Sequence, residues 1–265
     1  MERQTHLRLG YVEQLYTFGD RVGTVAELRQ DINNRTISIA YLALVSIGSE
    51  GLPIQEGWRP WYHFFPWEDR RAGGSPLPSV LLDRLLDWAR STGPRLDKDR
   101  VGRLHLTFGL DGAPWDEERA LERYEMLYAA GLVPEASLDD GLEPPADLAP
   151  VAGAAMFADH RRILATAISR LRAKIKYRPV LFELMPPTFT LSALQKTAEA
   201  LSGVALHKQN FRRLIAQQGL VEDTGETATG TGGRPAKLVR FRGEVTLERP
   251  APGVRLSATR RGSFP

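Results

Sequence analysis

An α+β chain in two parts is the fold class that this sequence predicts, on three observations. β-Branched and aromatic runs of strand type lie within residues 8–47, whereas helical periods dominate further on. A helix, a glycine turn, a second helix and a Gly/Thr-rich hairpin follow one another between residues 190 and 241. Charge divides with the halves: residues 151–265 carry 19 Lys and Arg against 8 Asp and Glu, +11, and residues 1–150 carry 16 against 24, −8. Such asymmetry suggests a polyanion-binding half joined to one that is not.

The remaining bounds are those of a globular protein. A chain of 265 residues has room for two domains, and 42% hydrophobic with 25% charged residues is ordinary soluble composition. Cysteine is absent, which excludes disulfides and thiolate metal sites and points to a reducing compartment. The start, MERQTHLRLGYVEQ, has no apolar signal core, and no run approaches roughly eighteen apolar residues, so a cytoplasmic location without a membrane span is expected. The basic half alone would attract DNA, RNA or anionic lipid alike.

Taken in order, RLGYVEQLYTF (8–18) and TISIAYLALVSI (36–47) read as strands, with GDRVGTVAELRQDINNR as the loop between them. GLPIQEGWRPWYHFFPWEDRRAGGSPLP reads as an irregular packed insertion whose aromatics fill core under loops. SVLLDRLLDWAR (79–90) is an amphipathic helix with Ser79 as its N-cap. WDEERALERYEMLYAA (115–130) is a second helix, its acids a solvated face, stopped by Gly131. SLDDGLEPPADLAP (137–150) has linker composition and marks a candidate boundary. From Asp159 to Tyr177 runs a long helix with Ile163, Leu164, Ala167, Ile168, Leu171 and Ile175 on one stripe, and Arg162, Arg170, Arg172, Lys174 and Lys176 mostly elsewhere. The spacing of Leu164, Ile168, Leu171 and Ile175 suits either a dimer seam or docking onto the chain's own core. Pro179 ends the helix.

The C-terminal run carries the function. TLSALQKTAEAL (190–201) is a helix with Thr190 as N-cap and Leu191, Leu194, Ala198 and Leu201 on one side; Gly203 makes the turn. LHKQNFRRLIAQQG (206–219) follows, with Phe211, Leu214 and Ile215 inward and Gly219 as its stop. LVEDTGETATGTGGRPAKLVRF then reads as a hairpin with Arg234, Lys237 and Arg240 on the returning arm. Helix, turn, helix and basic hairpin together make a winged helix, whose second helix enters the major groove while the wing reaches adjoining backbone. With Phe211, Leu214 and Ile215 inward, Lys208, Gln209, Arg212 and Arg213 must point out. Arg and Lys can pair with guanine or phosphate and Gln or Asn with adenine, each good bidentate contact discriminating by about 1–3 kcal/mol. A plain solubilising face or an amphipathic membrane helix fits less well, because the apolar side is narrow and a hairpin follows.

FELMPPTFTLSALQ, LHKQNFRRLIAQQGLVE and GGRPAKLVRF resemble the C-terminal winged-helix domain of the Nudix-related transcriptional regulators of NAD metabolism. YVEQLYTFGD and ISIAYLALV resemble strands of that family's N-terminal Nudix-like domain, FADHRRIL the start of its linking helix, and WDEERALERYEMLYAAGLVPEA the NAD-biosynthesis regulator branch. The resemblance implies an incomplete Nudix-like α/β domain over 1–157 with an insertion about 50–150, a linker helix over 158–178, a winged helix-turn-helix domain over 179–245 and a tail over 246–265. It further implies a cytoplasmic, homodimeric repressor of NAD biosynthesis or salvage genes. Such a repressor holds a palindromic double-stranded operator and responds to a nucleotide effector such as NAD, ADP-ribose or ATP, with no required cofactor. Carried over residue by residue, the DNA-binding set is His207, Lys208, Gln209, Asn210, Arg212, Arg213, Arg234 and Lys237. Phe18, Asp20, Asp159 and His160 are the effector-site candidates.

One departure is chemical. A Nudix hydrolase holds its metal on glutamates of G-x5-E-x7-R-E-U-x-E-E-x-G-U, and here only a tail of that motif is visible at RQTHL. Arg3 and Gln4 stand at the paired acids, His6 at the glycine and Leu7 at the closing apolar position. A cation and an amide cannot supply two hard anionic ligands, so no hydrolysis is expected, and the chain is expected to be shortened at its start. The acids Glu117, Glu118, Glu122 and Glu125 lack the glycine loop. His6, His63, His105, His160 and His207 have no metal-ligand spacing, and neither a P-loop nor G-x-S-x-G occurs. The competing readings are a nucleotide pyrophosphatase with a nucleic-acid-docking tail and a pure dimerisation module.

Overall fold

The computed structural model describes residues 10–18, 37–45, 58–73, 77–91, 94–228 and 235–254. These fall into two compact units, one drawn from Gln14–Leu42 and Arg59–Arg170, the other from Met1–Glu13, Ala43–Trp58 and Leu171–Pro265. Strands β1 (Val12–Phe18) and β2 (Ser38–Ala43) pair in a two-stranded sheet.

The first unit is largely helical. Helix α1 (Ser79–Ala89) buries Leu81, Leu85 and Ala89, spaced four apart on one stripe. Ser79 is its first helical residue and not the expected cap; Pro78 holds the cap position with no side-chain bond. Helix α2 (Pro94–Phe108) occupies residues left unassigned by sequence and buries Leu104 and Phe108. Asp116 caps the 3-10 turn Glu117–Arg119 by accepting from the Glu118 N–H at 3.0 Å, and α3 (Ala120–Ala129) follows, burying Tyr124 and Leu127. Gly131, at φ +71°, ends that run as expected. Helix α4 (Pro134–Asp139) comes next. Phe65 and Trp67, from the aromatic insertion, pack edge to face in the same core. The insertion is thus a helical body with its own interior. The stretch 137–150 does not interrupt it, since Leu148 is buried in that core.

Two ion pairs are sealed inside this unit. Arg123 donates from Nε and Nη2 to both Glu68 carboxylate oxygens at 2.5 and 2.9 Å, and from Nη1 to the Thr107 and Asp116 carbonyls. Its guanidinium lies 3.8 Å from the Trp115 ring centre. Arg161 pairs with Glu135 at 2.9 Å and donates to the carbonyls of Phe64 and Ala152. Burial pulls the Arg161 pKa below the usual arginine value, with Glu135 opposing. Desolvation of such pairs is offset only when the remaining donors find acceptors; here backbone carbonyls serve all but Arg161 Nε, which has no acceptor among the described residues.

Helix α5 (His160–Ile175) contributes to both units. Ala165 and Ile168 join the helical core, and Leu171 and Ile175 are buried as well. Ile168, Leu171 and Ile175 of the apolar stripe are thus used within the chain, whereas Ile163, Leu164 and Ala167 are half-buried. Arg172 and Lys174, expected off the stripe, are buried too. Arg172 Nε donates to the Leu201 carbonyl at 2.9 Å. Lys174 Nζ donates to Tyr11 Oη and Glu13 Oε2. Burial opposes the Lys174 charge, but those two partners outweigh it and hold its pKa above the usual lysine value.

The second unit carries helices α6 (Leu191–Ser202) and α7 (Lys208–Gln218) with an antiparallel sheet in the order β3-β5-β4. Its strands are β3 (Phe189–Thr190), β4 (Val221–Ala228) and β5 (Ala236–Phe241). Thr190 caps α6 by accepting from the Ala193 N–H at 3.1 Å, and Gly203 ends it at φ +76°. The turn into α7 is held by Gln195, which donates to the Leu206 carbonyl, and Glu199, which accepts from the Leu206 N–H, each at 2.9 Å. Beyond β5, a short helix α8 (Val245–Glu248) buries Val245.

Candidate nucleic-acid interface

Helix α7 is fixed from one side. Phe211 and Ile215 are 3% and 1% exposed, and Leu214 is half-buried, less inward than the sequence implied. His207 in the cap position, then Lys208, Gln209, Asn210, Arg212 and Arg213, are all exposed. At about 100° per residue, the mean of Phe211 and Ile215 defines the inward direction. Gln209 and Arg213, one turn apart, fall opposite it; Arg212 lies about a right angle to one side, and Asn210 on the other. The helix therefore presents an amide and a guanidinium at its outermost line, with further polar tips on the flanks.

The far end of α7 is anchored by residues for which sequence gave no function. Arg242 Nη1 donates to the Gly219 carbonyl at 3.1 Å and Arg249 Nη1 to the Gln218 carbonyl at 2.8 Å, while Glu248 holds Arg242 at 2.7 Å. Cationic donors at a helix C-terminus satisfy its orphan carbonyls and complement its dipole. The segment then reaches α5, where the Val254 N–H donates to the Ile175 carbonyl at 2.7 Å. A Cβ on Gly253 would overlap the Lys176–Tyr177 backbone, so the close approach needs glycine. The sequence signal was two arginines, Arg242 and Arg249, in an otherwise nondescript stretch.

On the wing, Lys237 is 78% exposed at its side chain but bonded to Asp223 at 2.8 Å, and Arg240 is paired with Glu222 at 2.5 Å. The Lys237 hydrogen bond, then that of the Gly225 N–H, hold the Asp223 carboxyl below its usual range; the same bond to Asp223 raises Lys237. Arg234 and the Gly232-Gly233 turn lie outside the described residues, as does Asp20.

The remaining effector candidates occupy two places. Phe18 ends β1 with its ring edge-on to Tyr16. Asp159 immediately precedes α5 and accepts from the Ile163 N–H through its backbone carbonyl, and His160 opens the helix with its ring against Phe157. Among the described residues no group of three or more His, Asp or Glu is placed to hold a metal, and no helix is long and apolar enough to cross a membrane.

Two helices joined by a glycine turn, backed by a three-stranded sheet with a projecting hairpin, define a winged helix-turn-helix domain of the DNA-binding class. Residues 181–241 match the family described as the NrtR DNA-binding winged helix domain. The ADPR responsive transcriptional repressor NtrR of Acinetobacter baylyi is 42% identical over 83 residues, which make up 31% of this chain and 33% of that protein. The matched stretch thus spans about a third of that relative. Shewanella oneidensis NrtR complexed with a 27mer DNA aligns over 93% of this chain and 71% of its own, at 19% identity and a TM-score of 0.42. A further structure of NrtR from that organism aligns over 89% and 66%, at 23% identity and a TM-score of 0.38.

Proposed function

We propose that this chain is a sequence-specific DNA-binding repressor of NAD biosynthesis or salvage genes, cytoplasmic and homodimeric, whose grip on a palindromic operator is set by a nucleotide. The observation that carries the reading is the outward face of α7. Phe211 and Ile215 fix the helix, Gln209 and Arg213 stand at its outermost line, and the domain matches the NrtR DNA-binding winged helix family. In a dimer, two such helices would enter successive major grooves about 34–36 Å apart or at a multiple of that spacing. Asn210 and Arg212 flank the reading line, His207 and Lys208 stand exposed at the start of the helix, and Arg234 and Lys237 reach phosphate.

ADP-ribose is the first effector to test, because the Acinetobacter relative is named for its response to ADPR; NAD and ATP follow. The effector acts only if it binds the operator-competent and incompetent arrangements with different affinity. Its site lies in the Nudix-like part, residues 1–157, with Phe18 and Asp20 as candidates there and Asp159 and His160 as candidates at the start of the adjoining linker helix. The residues 158–178 link it to the winged helix, and ADP-ribose is bound without being hydrolysed.

The test is fluorescence anisotropy with labelled duplexes from upstream regions of NAD genes, titrated with the full chain at several salt concentrations, with and without ADP-ribose, NAD and ATP. Salt-dependent, sequence-preferring binding that one nucleotide shifts is expected. Absence of salt-dependent duplex binding would overturn the reading, and magnesium-dependent release of phosphate products from ADP-ribose would restore the hydrolase alternative.

A further inference from the structure

Among the described residues of the wing, the basic side chains Lys237 and Arg240 are already paired with acids. The register sets Glu222 opposite Arg240 and Asp223 opposite Val239. Side chains alternate across a strand, so the two ion pairs stand on opposite faces of the hairpin. Val239 is buried and Phe241 stacks on Phe182 at 4.4 Å, which marks their face as the inward one. Lys237 shares that face toward the tip, whereas Arg240 leaves from the opposite, outer side.

Asp223 has two tasks. Its Oδ1 accepts from the Gly225 N–H at 2.9 Å, where Gly225 adopts φ +78° within the register shift between Asp223 and Thr227. Its Oδ2 holds Lys237. The first task shapes the bulge and needs only an acceptor oxygen, which an asparagine supplies equally well. The negative charge serves only the second.

We infer that Asp223 is a specificity-determining residue of the DNA-binding surface: it neutralises Lys237 and so suppresses sequence-independent attraction of the wing to DNA. The inference rests on the proposed function. Affinity for arbitrary DNA comes from cations that displace counterions from phosphates. A lysine that already carries its own carboxylate releases fewer counterions on arrival, and the carboxylate left beside a phosphate repels it. An exposed pair of this kind is weakly held, so the wing still exchanges partners where α7 fits its bases. Selectivity is the ratio of operator to non-operator affinity, and an acid at this position raises the ratio by lowering the denominator.

The experiment compares wild type with Asp223→Asn on a labelled random-sequence duplex and on an upstream duplex of an NAD gene, by anisotropy from about 50 to about 200 mM salt. Asp223→Asn is expected to tighten random-duplex binding and to steepen its logarithmic salt slope by about 0.9, one additional phosphate contact. Over that salt range such a slope change makes the low-salt gain about threefold larger than the high-salt gain. Adding Lys237→Ala in the Asp223→Asn background should remove the gain. Glu222→Gln, which frees Arg240 on the outer face, should leave the slope unchanged. Wild type that binds DNA while Asp223→Asn gives its slope and affinity, or a gain that survives Lys237→Ala, overturns this inference alone. Wild type that binds neither duplex overturns the proposed function and this inference with it.

Discussion

Replacing Arg213 with alanine separates base reading from general attraction. Arg213 is exposed, about half a turn from the buried Phe211 and Ile215, with Gln209 one turn away on the same outward line. Its removal leaves no cavity, so stability should stay within about 0.5 kcal/mol of wild type. A bidentate base contact is worth about 1–3 kcal/mol, and at about 1.4 kcal/mol per tenfold that is roughly 5- to 150-fold in operator affinity. Arg212 lies about a right angle away, toward the groove wall, where a phosphate partner is expected; Arg212→Ala should instead weaken all sequences and reduce the salt slope by about 0.9. The assay is anisotropy on upstream and random duplexes at matched salt, with far-ultraviolet circular dichroism to verify folding. Folded Arg213→Ala and Gln209→Ala that both bind the upstream duplex as wild type does would refute base reading by this line. Equal weakening of both duplexes by Arg213→Ala would refute it as well.

Three more outcomes are expected. Ile215→Ala, at a position 1% exposed beneath α7, should cost about 2–5 kcal/mol in urea unfolding and reduce duplex binding with it. Glu68→Gln strands the Arg123 guanidinium in a site where both side chains are fully buried, and should cost about 3–5 kcal/mol; an apolar replacement of both partners should cost less, measured by the same unfolding transition. For Asp223, a folded-state pKa below its usual value means that the pair's contribution is present above the ordinary carboxylate range and disappears as pH falls through the lowered value. Lys237 is raised, so its share persists below the ordinary lysine range and is lost as pH rises through the raised value. Carboxyl NMR titration should give a low Asp223 midpoint that moves upward in Lys237→Ala, and an unmoved midpoint would contradict the pairing.

The winged helix was legible because its signals are local. Thr190, Gly203 and Gly219 sit at cap positions that their chemistry demands, and Phe211 and Ile215 keep helical spacing. Other elements were illegible for physical reasons. Helix α2 begins at Pro94 and, among its described side chains, Leu104 and Phe108 are the buried apolar anchors, too short a stripe to stand out. Strand β3 has two residues and exists because Phe189 and Thr190 face Val239 and Leu238 across the sheet. Arg172 and Lys174 were expected off the apolar stripe, and nothing in the sequence singled out Arg123 or Arg161, since a long charged side chain is buried only with a partner. Those partners lie far away in sequence: Glu68, Glu135, Leu201 and Glu13. On the wing, positive residues were easy to count, but cross-strand register decides which acid each one meets.

The clasp formed by residues 242–254 changes what counts as the DNA-reading module. Phe241 completes the matched domain, yet the exit of its reading helix is moored by Arg242 and Arg249, and the same peptide ends hydrogen-bonded to the last turn of α5. Two routes thus join α5 to α7: the covalent path through the first helix of the pair, and a shorter one running backward from beyond the wing. A domain trimmed at Phe241 would keep its strands and helices while losing the second route, so its grip on DNA is not a faithful stand-in for that of the intact chain.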